Sequence, residues 1–173
     1  MRDKLNNKEK LKIYYSYVYN QINYGIEIYA NSIIGNIQKI QVMQDRFFRV
    51  MFYKKSKEDI KKLYGEQHIL NCKQIFVYKI IMIAYNKIHK MGKNAIDDMM
   101  IVRENEIGRK SKCKNNLVIP YCKTKYEQKS MQYQTAFLWN QVNSRLKELK
   151  LEQFKIMIKK EIENNNIKFE AVK

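Results

Sequence analysis

CKQIFVYKIIMIAYNKIHKM, residues 72–91, is the stretch whose reading decides the fold. Between positions 75 and 85 apolar residues occupy nearly every helical face, with Lys79 the main interruption. A helix that is apolar all round is buried, so this one belongs inside a bundle rather than on its surface. It is too short and too closely flanked by lysines to span a bilayer. Asn71 and Gln74 read as a reciprocal cap at its start, and Gly92 as its stop. The pattern predicts a mainly α chain with this helix as the central element of its N-terminal half.

Working back from there, residues 56–59 read Ser-x-x-Asp, a capping-box pattern, and Gly65 can end the short helix it opens. Residues 11–29 place Tyr14, Tyr15, Val18, Tyr19 and Ile22 at spacings dominated by three and four, which predicts a helix weakening at Gly25. Asn31 or Ser32 can cap the helix that follows. Its expected buried stripe is Ile33, Ile37, Ile40, Phe47 and Met51. Arg46 and Arg49 lie off that stripe or at its edges. Residues 1–10 are charged and expected to fray.

Beyond Gly92 the chain turns polar. Residues 95–107 are read as a helix, and 108–114 as a basic connector carrying Arg109, Lys110, Lys112 and Lys114. Leu117, Val118 and Ile119 have strand propensity, and Pro120, the only proline, confines them to an edge or a turn. Residues 121–126 alternate, with Lys123 and Lys125 on one face and Cys122 and Thr124 on the other; Met131 and Tyr133 repeat the period of two. The expectation is a small basic β-hairpin, closed by Phe137, Leu138 and Trp139 at the start of a helix. Trp139, the only tryptophan, should be a packing centre whose indole N–H finds a partner. Leu149, Leu151, Phe154, Ile158 and Ile162 predict a last helix that ends at the Asn164-Asn165-Asn166 tract. The fold class is therefore a helical bundle with a small basic β-hairpin in the C-terminal half, divided into 1–92 and 93–173.

Lys and Arg number 34 against 17 Asp and Glu, a net charge of +17. Such a field suits nucleic acid or an anionic surface. Abundant Lys, Asn, Ile and Tyr with scarce Pro and Gly also fit an A+T-rich coding bias, so the charge carries only modest functional weight. Three cysteines, Cys72, Cys113 and Cys122, are odd in number and irregularly spaced, which argues against a disulfide framework and for a reducing compartment. The polar start offers no secretory signal. The setting expected is intracellular, cytoplasmic or nuclear, away from membranes.

Several residues together resemble a known family. Ile119-Pro120, Lys123-Thr124, Ser130, Tyr133, Trp139-Asn140 and Phe154-Lys155 follow, in order, the pattern beyond the polymerase core of reverse transcriptases from non-LTR (LINE-type) retrotransposons. Upstream, Tyr24-Gly25-Ile26, followed by Tyr29-Ala30 in place of the family's Trp-Gly, and the Gln44-x4-Arg49 helix resemble the same family. The chain departs from the pattern at Tyr121, where the family has a basic residue. It departs again at Thr135-Ala136 in place of Gly-Pro, and at Val142-Asn143 in place of Leu-Pro. The resemblance implies that 1–92 is a thumb-like helical bundle and 93–173 a connector bearing the hairpin, the Trp-Asn segment and the last helix. It further implies contact with the backbone of template and primer, and a polymerase palm, upstream of Met1, as packing partner.

The site expected is a basic set: Arg46, Arg49, Lys54, Lys55, Arg109, Lys110, Lys112, Lys114, Lys123, Lys125 and Lys129. Tyr121, Tyr126 and Tyr133 stand among or beside its C-terminal lysines, as residues that stack on bases would. A solvated lysine surface is the competing reading. No catalytic residue is assigned. Asp97-Asp98 lacks the aromatic and the partner strand of a two-metal polymerase site, and an acidic pair at a helix start is commonplace. His68 and the cysteines lack the paired spacing of a zinc site, so neither metal nor cofactor is expected, and no small-molecule substrate. A stand-alone basic helical module binding RNA or a protein partner is the alternative.

Overall fold

Helix follows apolar spacing along most of the chain. The computed structural model describes residues 5–32, 34–53, 57–91, 100–102 and 115–167, without the side chains of 31, 32, 34–36 and 58. In order come α1 (Asn7–Ile13), a π-helical stretch (Tyr14–Tyr19), α2 (Asn20–Asn23), α3 (Ile26–Ser32), α4 (Ile34–Phe52), α5 (Lys57–Glu66) and α6 (Cys72–Ile88). A 3₁₀ turn (Glu127–Lys129), α7 (Met131–Gln141), α8 (Ser144–Lys147) and α9 (Leu151–Glu163) complete the order. Two compact units form, Met1–Phe76 and Val77–Lys173, and α6 contributes 72–76 to the first and 77–88 to the second. Among the described residues no helix is long and apolar enough to cross a membrane.

In the first unit, the described part of the stretch expected to fray, from Leu5 on, is held. Asn6 and Glu9 cap α1 reciprocally, at 2.9 and 2.8 Å, and Lys10 lies 5.5 Å over the rings of Phe52 and Tyr53. The helix then widens by a π turn through YYSYVY. Tyr14 meets Tyr15 and Tyr19 edge-on at 5.0 and 6.2 Å, and the wide turn spreads these rings. Gly25 breaks the helix as expected, at φ 67, a backbone region costly for any side chain. Asn31 and Ser32 sit in the last turn of α3 rather than ahead of α4.

The stripe on α4 is rotated from the one expected. Ile37 is buried, but Ile40, Phe47 and Met51 are half-buried, and the deepest residues are Gln44 and Phe48, both at 0% exposure. Ile33 lies outside the described residues. Tyr14, Phe48, Leu63 and Ile69 form the core, with ring centroids 4.7 Å apart for Tyr14–Phe48 and 5.3 Å for Phe48–Tyr64. Gln44 can be buried because its amide is satisfied on all sides. It donates to the Tyr14 hydroxyl at 2.7 Å and the Leu70 carbonyl at 3.0 Å, and accepts from the Cys72 thiol at 3.2 Å. Burial, with the Asp45 charge second, pushes the Cys72 thiol up to about 12, so it packs as an inert core residue.

Gly65 does not end α5. The left-handed residue is His68, at φ 51, and the Ile69 amide reaches back to the Tyr64 carbonyl, the double turn of a Schellman cap. The α6 start is as read from the sequence: Asn71 and Gln74 exchange backbone-to-side-chain bonds of 2.9 and 3.0 Å. Its end comes before Gly92, which lies outside the described residues. Lys90, at φ 52, takes the left-handed position while Met91 bonds back to Asn86. An L side chain there costs about 1 kcal/mol that glycine does not. Lys90→Gly, an exposed position, should therefore raise stability by about 1 kcal/mol, read as a higher urea midpoint with an unchanged slope.

In the second unit Ile80, Ile81, Ala84 and Tyr85 of α6 are buried, as are Phe154, Ile158 and Ile162 of α9. Tyr85 stacks on Phe154 at 4.3 Å and on His89 at 4.1 Å, and its hydroxyl donates to the Leu149 carbonyl. Trp139 is fully buried and its indole donates to the Asn115 carbonyl at 2.7 Å, as its polar edge required. Lys147, 1% exposed, places its ammonium 5.2 Å over the Trp139 ring and donates to Asn116 at 2.7 Å. Asn165, at φ 56, ends α9 inside the expected asparagine tract.

The β-hairpin is not there. Among the described residues there is no strand pairing beyond one isolated antiparallel bridge, Val102 to Leu117. Met100–Val102 is accordingly not helical, against the helix expected over 95–107, whose remaining residues lie outside the described set. Both main-chain groups of Leu117 are taken by one side chain: Asn140 accepts from its N–H at 3.0 Å and donates to its carbonyl at 2.9 Å. An amide clamped in this way occupies the edge on which a second strand would pair. Trp139-Asn140 consequently sits in the last turns of α7 rather than at a helix start. The helix begins eight residues earlier, where Ser130 accepts from the Tyr133 N–H at 3.3 Å.

Candidate nucleic-acid interface

Pro120 to Ser130 forms a turn built on its own side chains. Thr124-x-x-Glu127 closes a capping box, with the Glu127 N–H donating to Thr124 Oγ1 at 3.2 Å. Glu127 Oε2 accepts from the backbone N–H groups of Lys123 and Thr124 at 2.7 and 3.2 Å. The 3₁₀ turn follows, Ser130 donates to the Glu127 carbonyl at 2.9 Å, and the buried Gln134 fastens the Gln128 carbonyl at 2.7 Å. Alternating polarity here reflects a capped turn rather than a strand, which is why period two misled. The signal that identifies it is Thr-x-x-Glu.

This turn displays two aromatic rings. Tyr121 is 87% exposed and Tyr126 is 80% exposed, and neither meets another ring among the described residues. Both ring faces are open to a flat partner. Lys123 and Lys125 interleave with them and are exposed, while Lys129 is half-buried. Three lysines stand here against one glutamate whose carboxylate is already bound to two amides, so the outward charge is positive. Tyr133, also expected to stack on bases, instead stacks on Phe137 at 5.9 Å and is half-buried.

The rest of the basic set divides. Arg46 and Arg49 are exposed on α4 in the first unit and pair with no described carboxylate. Lys54, Lys55, Arg109, Lys110, Lys112 and Lys114 lie outside the described residues, as do Asp97 and Asp98. Among the described residues no group of three His, Cys, Asp or Glu side chains could hold a metal ion. Cys122 is half-buried and 3.6 Å from the Pro120 carbonyl; Cys113 lies outside the described residues.

No family model, curated protein or solved structure matches the chain. Function therefore rests on the site. A capped turn that presents Tyr121 and Tyr126 on either side of Lys123 and Lys125 sets π-faces beside positive charge, a chemistry compatible with a polyanion of flat units. Thr124 and Glu127 are the positioning residues that the basic pattern alone misses.

Proposed function

We propose that the chain binds the sugar–phosphate backbone of RNA or DNA through the turn at 121–129. Lys123 and Lys125 neutralise phosphates, and Tyr121 and Tyr126 stack on adjacent bases. The reading is that of a thumb-and-connector region from a non-LTR retrotransposon reverse transcriptase, which grips template and primer while a palm performs phosphoryl transfer; these residues transfer no nucleotide themselves. The double exposure of Tyr121 and Tyr126 on a turn held by Thr124 and Glu127 carries it. An exposed lysine surface alone would not require the rings, and a core cluster would not leave them bare. Arg46 and Arg49 of α4 suit non-specific phosphate contact within the first unit.

The test is binding of a labelled single-stranded RNA by fluorescence anisotropy. Tyr121→Ala and Tyr126→Ala should each weaken binding by about 1–3 kcal/mol, a loss of roughly 5- to 150-fold, with helical content unchanged by circular dichroism. Unchanged affinity in both variants would remove the stacking role. Binding that is tight but indifferent to salt would favour the second reading, a basic helical module for a protein partner.

A further inference from the structure

The first unit holds a cavity of about 370 Å3 between α4, α5 and the start of α6. Its wall includes Lys57 and Lys61 of α5, Lys73 of α6, and Asp45, Tyr64 and Ile60. Residues 57, 60, 61 and 64 fall at helical spacings of three and four, so one face of α5 supplies two cations, an apolar contact and a phenol. Lys57 and Lys61 are like charges one turn apart, and a third cation joins them from α6. None of the three forms an ion pair with a described carboxylate. Like charges at this spacing repel, and an anion among them turns the repulsion into attraction.

The one described carboxylate of the wall is held from one side. Asp45 Oδ1 accepts from the Tyr64 hydroxyl at 2.9 Å and from Gln41 Nε2 at 2.8 Å. Gln41 also donates to the Tyr64 hydroxyl at 3.0 Å and accepts from the Cys72 N–H at 2.8 Å, so the group is locked in place. Burial, then the Asp45 charge, pushes the Tyr64 phenol far above its usual range, which keeps it a hydroxyl donor. Asp45 Oδ2 has no partner among the described residues and is left to accept from a ligand hydroxyl. Three exposed lysines on the wall, a hydrogen-bonded carboxylate and the apolar side of Ile60 and Tyr64 describe a complementary ligand. A volume of this size lies at the small end of ligand cavities and far exceeds a bare phosphate.

We infer that this cavity binds a nucleoside phosphate, with Lys57, Lys61 and Lys73 on its phosphate and Asp45 on a ribose hydroxyl. The ligand is held and not converted. The inference stands on the first unit alone and holds whether or not the turn at 121–129 binds a strand. The shared chemistry has two sources, a free nucleotide or the phosphorylated end of a strand.

The experiment is isothermal titration of the full chain with adenosine 5′-monophosphate, with adenosine, and with inorganic phosphate. Saturable binding of the monophosphate, with none for adenosine, is expected. Lys57→Gln/Lys61→Gln/Lys73→Gln should weaken it at least tenfold. Lys150→Gln/Lys160→Gln, which removes two exposed lysines outside the cavity, should change it less than twofold. Asp45→Asn should weaken the monophosphate but leave inorganic phosphate unchanged. No saturable binding, or equal losses in the two lysine variants, overturns the site. Competition by a 5′-phosphorylated but not a 5′-hydroxyl dinucleotide supports the site and assigns a strand end; no competition by either, with monophosphate binding intact, supports it and assigns a free nucleotide.

Discussion

Trp139→Ala is expected to destabilise the second unit by about 3–5 kcal/mol, the usual cost of deleting a fully buried large aromatic. Three contacts go together. The Asn115 carbonyl loses its indole donor, Phe154 loses a ring whose centroid lies 6.0 Å away, and the Lys147 ammonium loses the π-face beneath it. The last loss matters because Lys147 is almost wholly buried, and its charge is then compensated by less than before. Trp139→Phe should recover part of the loss by refilling volume without the hydrogen bond. Urea unfolding followed by circular dichroism reads both. A loss under about 1 kcal/mol for the alanine variant would mean the unit is centred elsewhere.

Gln44→Leu should destabilise the first unit by about 2–4 kcal/mol although it makes the core more apolar. The substitution strands the Tyr14 hydroxyl, the Leu70 carbonyl and the Cys72 thiol, each satisfied now by that one amide. A buried group left without its partner costs about 1–3 kcal/mol. Tyr14→Phe/Gln44→Leu should be more stable than Gln44→Leu alone, because one stranded hydroxyl is removed with its partner. A single variant as stable as the parent would show that the Gln44 network contributes nothing net.

What the sequence discloses is set by where the physics is local. Apolar spacing is local, so α6, α9 and the break at Gly25 could be read directly. Side-chain caps are local too, and Asn71 with Gln74 was legible for that reason. Helix ends were harder. With only five glycines in the chain, α5 and α6 terminate on His68 and Lys90 instead of the glycines nearby. The α4 stripe failed for a different reason: apolar spacing leaves out a polar residue such as Gln44, and three partners distant in sequence permit it inside. The hairpin failed through the same kind of contact. Asn140, 23 residues away, takes the edge of Leu117, and a capping box turns the alternating residues into a turn.

Of the candidate interface, the tyrosines and lysines were visible in the sequence, while the hydrogen-bonded turn that presents them was not. Glu127 would be counted as a charge that weakens a basic patch. In place, its carboxylate is occupied by the amides of Lys123 and Thr124, and it organises the residues it would otherwise oppose. Lys57 and Lys61 share a face of α5 by spacing alone, whereas only tertiary packing brings Lys73 of α6 to the same cavity.

The most direct measurement is the dependence of RNA affinity on salt for the parent chain and for Lys123→Gln/Lys125→Gln. Each phosphate contact to a single strand contributes about 0.7 to the slope of log affinity against log salt. The account predicts a steep inverse dependence for the parent and a slope shallower by about 1.4 in the variant. An identical slope in the two proteins, or an affinity that salt leaves unchanged, would contradict it.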